Sequence, residues 1–161
     1  MALPYALGQE EGRALWHLGA LLVIKATGAD TGGEYSLAEE FCPRGFATPW
    51  HVHRREDESF MVLDGEATFF VGDRVIEATR GSFVYLPKGT PHAFQIDSET
   101  AHLFNLITPA GFESFFFDIS VPAERLVVPP PPTSPPDFGA IAAAAERYGC
   151  EILGPPPSLS R

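Results

Sequence analysis

The stretch GFATPWHVHRREDESFMVLDG, residues 45–65, decides the fold of this chain. Two histidines, His51 and His53, are separated by one residue, and Glu58 follows at the head of an apolar run. Residues i and i+2 of a β-strand point to the same face, so the two imidazoles are expected to project inward together. The connection that follows His53 then brings the Glu58 carboxylate to the start of the next strand.

A second segment supplies a third histidine. Residues 81–92 have the form Gly81-x5-Pro87-x-Gly89-x2-His92, in which a Pro-x-Gly turn leads into a strand that begins at the histidine. If these strands line one barrel, three imidazoles and one carboxylate converge on a point.

The set of His51, His53, Glu58 and His92 suits one divalent transition metal. Neutral imidazoles and a carboxylate bind Ni, Fe, Mn, Co, Cu or Zn, and the pattern does not choose among these ions. Four protein ligands leave one or two coordination positions open, as a catalytic site requires. The sequence therefore predicts a metal site that is open to a substrate.

Other histidines and acids lie near these residues in sequence or elsewhere in the chain. The residues RRED that precede Glu58 have the composition of a solvated turn, so Glu56 and Asp57 are not predicted to be ligands. His17 and His102 are interpreted as hydrogen-bonded residues of the β-structure.

The sequence around these segments predicts an all-β sandwich or barrel. At least eight short apolar or alternating runs lie between Ala14 and Thr108, separated by Gly, Asp and Pro. The run LWHLGALLVIKAT is one long strand or two short ones. Asp64-Gly65 and Gly72-Asp73 are two-residue turns that hairpins favour, so ESFMVL, EATFFV and RVIEA are predicted to form consecutive hairpins.

The composition changes after the last of these strands. GFESFFFDISVP is predicted to form a short helix or turn that lays aromatic rings against the barrel. Six prolines in 129–136 favour a polyproline spacer, and DFGAIAAAAERYG is predicted to be a helix capped by Asp137 and ended by Gly149. We predict a barrel with an N-terminal arm over 1–120, and a Pro-rich tail with a short helix, not an independent domain, over 121–161.

Charge and composition exclude several classes of partner. The chain has 21 acidic and 11 basic residues and a formal charge of −10, which argues against nucleic acid and anionic membranes. The longest apolar run, Ala14 to Ile24, is about half the length that spans a bilayer. No secretion signal is recognised, so we expect a cytoplasmic protein in which Cys42 and Cys150 are reduced thiols.

The two histidine segments resemble the two motifs of the cupin superfamily. Residues 45–65 match the first motif throughout, and residues 81–92 match the second as far as its histidine, although Ile96 stands where an Asn is usual. The resemblance extends over roughly 30–108 and implies a jelly-roll β-barrel, often dimeric. A homodimer is therefore expected.

A narrower resemblance concerns the stretches LGALLVIKATGADTGGEYSL, HVHRREDESFMVLDGEATFFVGD, ITPAGFESFF and RYGCEILGPP, which look like those of bacterial monocupins grouped with quercetin 2,3-dioxygenases. It implies a metal-dependent dioxygenase that cleaves a flavonol or similar aromatic enol with O2, with Glu58 as both ligand and base. The candidate aromatic pocket consists of Phe46, Trp50, Phe60, Phe69, Phe83, Tyr85, Phe94 and Phe104. Two alternatives stay open: another metal-dependent cupin enzyme, such as an isomerase or a different ring-cleaving dioxygenase, and a non-catalytic cupin that binds a small ligand.

Overall fold

The structure is a computed structural model that describes residues 3–9 and 11–157. Over these residues it contains twelve strands and three helices. The strands are β1 (Arg13–His17), β2 (Ala20–Ala26), β3 (Ser36–Pro43), β4 (Trp50–His53), β5 (Asp57–Asp64), β6 (Glu66–Val71), β7 (Arg74–Thr79), β8 (Phe83–Leu86), β9 (His92–Ile96), β10 (Thr100–Thr108), β11 (Val121–Pro122) and β12 (Cys150–Gly154). The helices are α1 (Gly28–Thr31), α2 (Glu113–Ile119) and α3 (Phe138–Arg147).

Two antiparallel sheets pack face to face. The first has seven strands in the order β11-β1-β2-β3-β10-β5-β8, and the second has five in the order β12-β4-β9-β6-β7. The predicted all-β jelly-roll architecture is confirmed.

Turn residues join the strands in two different ways. Gly72-Asp73 joins β6 to β7 in the predicted hairpin, and β1 and β2 are two short strands that pair around Leu18 and Gly19. The hairpin predicted at Asp64-Gly65 is wrong, because β5 pairs with β8 and β10 whereas β6 pairs with β7 and β9. Gly65 instead carries the chain from one sheet to the other. A Cβ at Gly65 would lie 2.4 Å from the carbonyl oxygen of Thr100, so only glycine allows this close approach.

The core between the sheets is centred on three phenylalanines. Phe60 on β5, Phe69 on β6 and Phe94 on β9 are each at most 4% exposed, and their ring centroids lie 5.2–5.4 Å apart. Burial of each ring stabilises the fold by about 1.5–3 kcal/mol. Because the three rings come from both sheets, they hold the sheets at a fixed separation below the predicted metal ligands.

The residues after β10 pack against one end of the barrel. On α2 and its N-terminal flank, Phe112, Phe115 and Phe116 share one face and are buried, as predicted for this aromatic segment. The residues 129–136 form no helix or strand. The chain then returns through α3 to β12, which pairs with β4.

The predicted caps of α3 are present. The Asp137 side chain accepts a hydrogen bond of 3.0 Å from the amide of Ala140, and Gly149 has a positive φ of 77° just beyond the helix. With ten residues, α3 is the longest helix in the described part of the chain, and none of the three there has the length and apolarity to cross a membrane.

Candidate metal centre and its cavity

The structure brings the four predicted ligands together. β4 carries His51 and His53, β9 places His92 opposite His51, and β5 of the other sheet carries Glu58. One ligand atom from each residue can be chosen so that all lie within 4.8 Å of one another. This cluster can hold a metal ion.

Strand alternation explains the convergence. On β5, Glu58 shares its inward face with Phe60 and Val62, all at most 5% exposed. The imidazoles of His51 and His53 are two residues apart on β4 and both face inward, with ring centroids separated by 5.2 Å. The donor set is thus determined by strand periodicity and by the packing of one sheet on the other.

Backbone carbonyls determine which nitrogens face the centre. Nδ1 of His51 lies 2.8 Å from the carbonyl oxygen of Pro49, and Nδ1 of His92 lies 2.9 Å from that of Thr90. A carbonyl oxygen can only accept, so each Nδ1 carries the hydrogen and Nε2 of the neutral ring keeps its lone pair. These are the tautomers that bind a metal through Nε2.

The contacts of Glu58 fit a cation at this point. Its Oε2 lies 3.2 Å from Nε2 of His92 and 3.8 Å from Nε2 of His53. For a neutral His92, a lone pair then faces a carboxylate oxygen, and two acceptors are stable at this distance only with a proton or metal ion between them. The donor set therefore suits a divalent transition metal.

Burial and neighbouring groups shift the protonation of two ligands. Burial, together with the adjacent imidazoles of His92 and His53, lowers the pKa of His51 to about 3. Burial alone would raise the pKa of Glu58, but the surrounding imidazoles of His92, His53 and His51 lower it to about 2. At neutral pH, His51 is therefore neutral and Glu58 ionised, the forms that ligate a metal.

Glu56 was predicted to lie in a solvated turn, and this prediction is wrong. Its side chain is buried, with Oε2 at 3.7 Å from Nδ1 of His53, and neither atom has a hydrogen-bond partner within the described residues. The returning C-terminal segment covers this turn, since the amide of Arg54 donates to the carbonyl oxygen of Gly149 at 2.9 Å. Glu56 thus lies beside His53, close enough for its carboxylate to act on the imidazole electrostatically. Its spacing of three residues from the histidine was the available sequence signal.

A cavity that is partly open to solvent lies against the cluster, and the empty space there, including the part open to solvent, is about 670 Å³. It is lined by His51, His53 and Glu58 and by a mostly apolar wall. Three of the predicted pocket residues, Phe46, Phe60 and Phe94, belong to that lining. An apolar wall with a few converging polar groups is typical of a site for a small organic molecule.

The other aromatic residues predicted for the pocket do not line the cavity. Phe69 is buried in the core, and Trp50 packs against Phe70 outside the lining. Tyr85 and Phe83 are more than half exposed on the outer face of β8, and Phe104 faces outward on β10. The alternation on β8 and β10 explains this result, because their inward positions are occupied by smaller aliphatic and polar residues.

Much of the actual wall comes from elements after the barrel strands. The additional lining residues there are Phe112, Phe115, Phe116, Ile141, Cys150 and Ile152. The ring of Phe112 meets that of His53 edge-on at a centroid distance of 4.3 Å. The apolar spacing of α2 was visible in the sequence, whereas nothing there indicated that β12 would return beside β4. Both cysteines are free and buried.

Polar groups that were not predicted as site residues also line the cavity. Glu40 lies on β3 and accepts a hydrogen bond of 2.8 Å from Asn105, which also donates to Glu58 at 2.9 Å. Burial and the nearby charge of Glu58 raise the pKa of Glu40 to about 7. The hydrogen bond from Asn105 acts in the opposite direction and limits this rise. His17 lines the cavity as well, and its Nδ1 lies 2.8 Å from the hydroxyl of Ser120. Burial lowers the pKa of His17 to about 4.

Comparisons with known proteins agree with this geometry. Residues 38–107 match the family model of the cupin domain. Quercetin 2,3-dioxygenase of Bacillus subtilis (strain 168) is 29% identical over 128 residues, which are 80% of this chain and 38% of that protein. The chain thus spans well under half the length of this relative.

Solved structures share the fold at low sequence identity. KdgF from Halomonas sp. has a TM-score of 0.60 at 16% identity, over 69% of this chain and 99% of that one. An RmlC-like cupin from Shewanella frigidimarina has a TM-score of 0.59 at 16% identity, over 70% and 96% of the two chains. These likenesses support the β-barrel architecture alone.

Proposed function

We propose that this chain, whose residues 38–107 match the cupin domain, is a metal-dependent oxidoreductase that cleaves a flavonol or a similar aromatic enol with O2. The observation that carries the proposal is the convergence of His51, His53, Glu58 and His92 at the wall of a largely apolar cavity. The similarity to the Bacillus subtilis quercetin 2,3-dioxygenase supports this substrate class.

The residues around the cavity have distinct proposed roles. A bound divalent ion would supply Lewis-acid activation of the enol and of O2. His51, His53, His92 and Glu58 would hold that ion. The rings of Phe46 and Phe94 lie 6.0 Å apart in the lining and offer apolar faces for a planar substrate.

Glu58 is also the proposed base that takes the proton of the enol hydroxyl. Asn105 holds its Oε1, which leaves Oε2 directed towards the histidines. A carboxylate held in this way accepts a proton at a defined position, because its rotation is restricted. The phenylalanines of the lining would reduce the contact of the ionised substrate with water.

The direct test is turnover of quercetin in air. Separate samples of the protein are loaded with Ni, Co, Fe, Mn or Cu, and loss of the flavonol absorbance is followed together with release of carbon monoxide. We expect turnover with at least one metal and none with metal-free protein or with His92→Ala. Absence of both signals with all five metals would remove the proposed reaction.

The other outcomes identify the alternatives. Tight binding of quercetin without product would indicate a cupin that binds a small ligand without catalysis. Turnover of a different enol or sugar substrate would indicate another metal-dependent cupin enzyme, such as an isomerase.

We also propose that the protein is a homodimer. β8 is the terminal strand of the seven-stranded sheet, and Phe83 and Tyr85 on it are 64% and 53% exposed. An edge strand with exposed aromatic residues favours pairing with a second copy. Sedimentation analysis should give twice the 17.5 kDa mass of one chain, and a monomer at micromolar concentration would contradict this.

A further inference from the structure

Glu40 is a second buried carboxyl group in the cavity, and it lies outside the metal-ligand cluster. It belongs to the inward face of β3 and is 5% exposed. Its Oε1 accepts the hydrogen bond from Asn105. In the described part of the chain, Oε2 has no hydrogen-bond partner, although the residue lines the cavity. Oε2 is not sealed off from the cavity, so water or a bound molecule there can supply a donor to it.

Asn105 fixes the position of Glu40 relative to the metal cluster. Its Nδ2 donates to Oε1 of Glu40 at 2.8 Å and to Oε1 of Glu58 at 2.9 Å. The side-chain amide of Asn105 therefore bridges the two carboxyl groups. A substrate held at the Glu58 side of the cavity would have a second polar anchor close by.

The neighbouring residue shows that Glu40 is not part of a surface ion pair. Glu39 points to the opposite face of β3, where its carboxylate oxygens lie 3.6 Å from Nζ of Lys25 and 2.8 Å from Nε2 of His102. No described cationic side chain forms an ion pair with Glu40. On the cavity side, a donor to Glu40 therefore comes from water or from a bound molecule.

We propose that Oε2 of Glu40 accepts a hydrogen bond from a second hydroxyl group of the substrate. This inference rests on the proposed function and narrows its substrate class to aromatic enols with at least one further hydroxyl group. A site built to pair with a hydroxyl group rejects the analogue that lacks it, because the buried acceptor is then left without a donor. The parent enol without this hydroxyl still fits the apolar wall but binds more weakly.

The test compares two flavonols that differ in this respect. Quercetin carries several hydroxyl groups besides that of the enol, whereas 3-hydroxyflavone carries the enol hydroxyl alone. Binding of each to the metal-loaded protein is titrated by absorbance without oxygen at pH 8, where the Glu40 carboxylate is ionised. The proteins compared are the wild type, Glu40→Gln and the matched outer-face control Glu39→Gln. Metal content is measured in the same samples.

Glu40→Gln keeps an oxygen that can accept from Asn105 but places an NH2 group where Oε2 stood. We expect it to weaken quercetin binding by about tenfold or more, with 3-hydroxyflavone binding and metal content unchanged. Glu39→Gln should leave both affinities unchanged. If Glu40→Gln is poorly folded, Glu40→Asp, which withdraws the carboxylate but keeps its charge, should show the same selective loss.

Four results would overturn this inference. Equal weakening of both flavonols would give Glu40 a structural role only, and unchanged affinity for both would show that it does not contact the substrate. Turnover of both flavonols in air, without any selective effect of Glu40→Gln, would leave the proposed function standing and remove this inference alone. Failure of the wild type to bind either flavonol would remove both.

Discussion

Histidine and glutamate meet in two regions of this molecule, inside the barrel and on its outer surface. Inside, Nε2 of His92 lies 3.2 Å from Oε2 of Glu58. Outside, Nε2 of His102 lies 2.8 Å from Oε2 of Glu39. The outer pair is the shorter one, yet only the inner pair belongs to a cluster that can hold a metal.

The surroundings of the two pairs account for this difference. The outer pair already has a cation beside it, Nζ of Lys25, and its side chains are 22% and 16% exposed. The inner pair is joined by two further imidazoles and is almost fully excluded from water. A close histidine–carboxylate contact is therefore not sufficient for a metal site. The site also needs several inward-facing donors and a carboxylate that no cationic side chain already neutralises.

Removal of an inner histidine should produce the largest difference between the two regions. Each of the variants His51→Ala, His53→Ala and His92→Ala keeps only three of the four proposed ligands. Metal affinity should fall by more than the roughly 100-fold that loss of an outer-sphere partner can cause. Elemental analysis after dialysis should show metal-depleted variants, with His102→Ala retaining the wild-type content. Equal metal loss in His102→Ala would contradict the distinction.

The next largest effect concerns the inner carboxylate. Glu58→Gln keeps an oxygen that can ligate but is a much weaker proton acceptor, so turnover should fall by about 10²–10⁴-fold with a smaller loss of metal. The same exchange in the outer pair, Glu39→Gln, should leave turnover close to that of the wild type. Single-turnover kinetics on samples of equal metal content would measure this. Full activity of Glu58→Gln would show that another group is the base.

A smaller effect should follow from changing Glu56, which supports the inner cluster from outside. Its carboxylate faces Nδ1 of His53 at 3.7 Å, so Glu56→Gln weakens the orientation and the basicity of that imidazole. Metal affinity should fall by about 10–100-fold, as competition with a chelator can determine. Asp57→Asn is the neighbouring control, because the Asp57 side chain accepts from the amide of Lys88 instead. Similar losses in both variants would indicate a general disturbance of the turn.

The smallest expected effect is on stability and depends on pH. Burial raises the pKa of Glu40 from 4.5 to about 7, so the folded state holds this proton more tightly than the unfolded chain does. The contribution to stability is therefore fully present below pH 4.5 and is lost as pH rises through 7.

The measurement is the free energy of unfolding of metal-free protein, from urea titrations at pH 5 and pH 8. Relative to Glu40→Gln, the wild type should lose about 2–3 kcal/mol between these two values. A constant difference between the two proteins would show that Glu40 does not titrate in this range.

The convergence of the four candidate metal ligands was predictable because these residues follow local rules. The i, i+2 spacing of His51 and His53 and the position of Glu58 at the head of an apolar strand determine which way these side chains point. The cap of α3 at Asp137 and the hairpin at Gly72-Asp73 were predictable for the same reason, since each depends on a few adjacent residues.

The errors concern features that depend on distant parts of the chain. Asp64-Gly65 has the composition of a hairpin turn, but the partners of β5 are β8 and β10, which follow much later in the sequence. Glu56 stands among charged residues, yet the segment around Gly149 covers it. Both outcomes follow from which strands pair, and local composition does not encode this.

The sequence by itself determined the class of fold, the four inward-facing donors and the short helix at the end of the chain, because strand alternation and turn chemistry act over a few residues. The tertiary structure alone decided the shape and lining of the cavity. It brought α2, α3 and β12 over the cluster and turned Glu40 and Asn105 towards Glu58. The reason is physical: a pocket is formed by residues far apart in the chain, and their positions depend on how the two sheets and the C-terminal elements pack together.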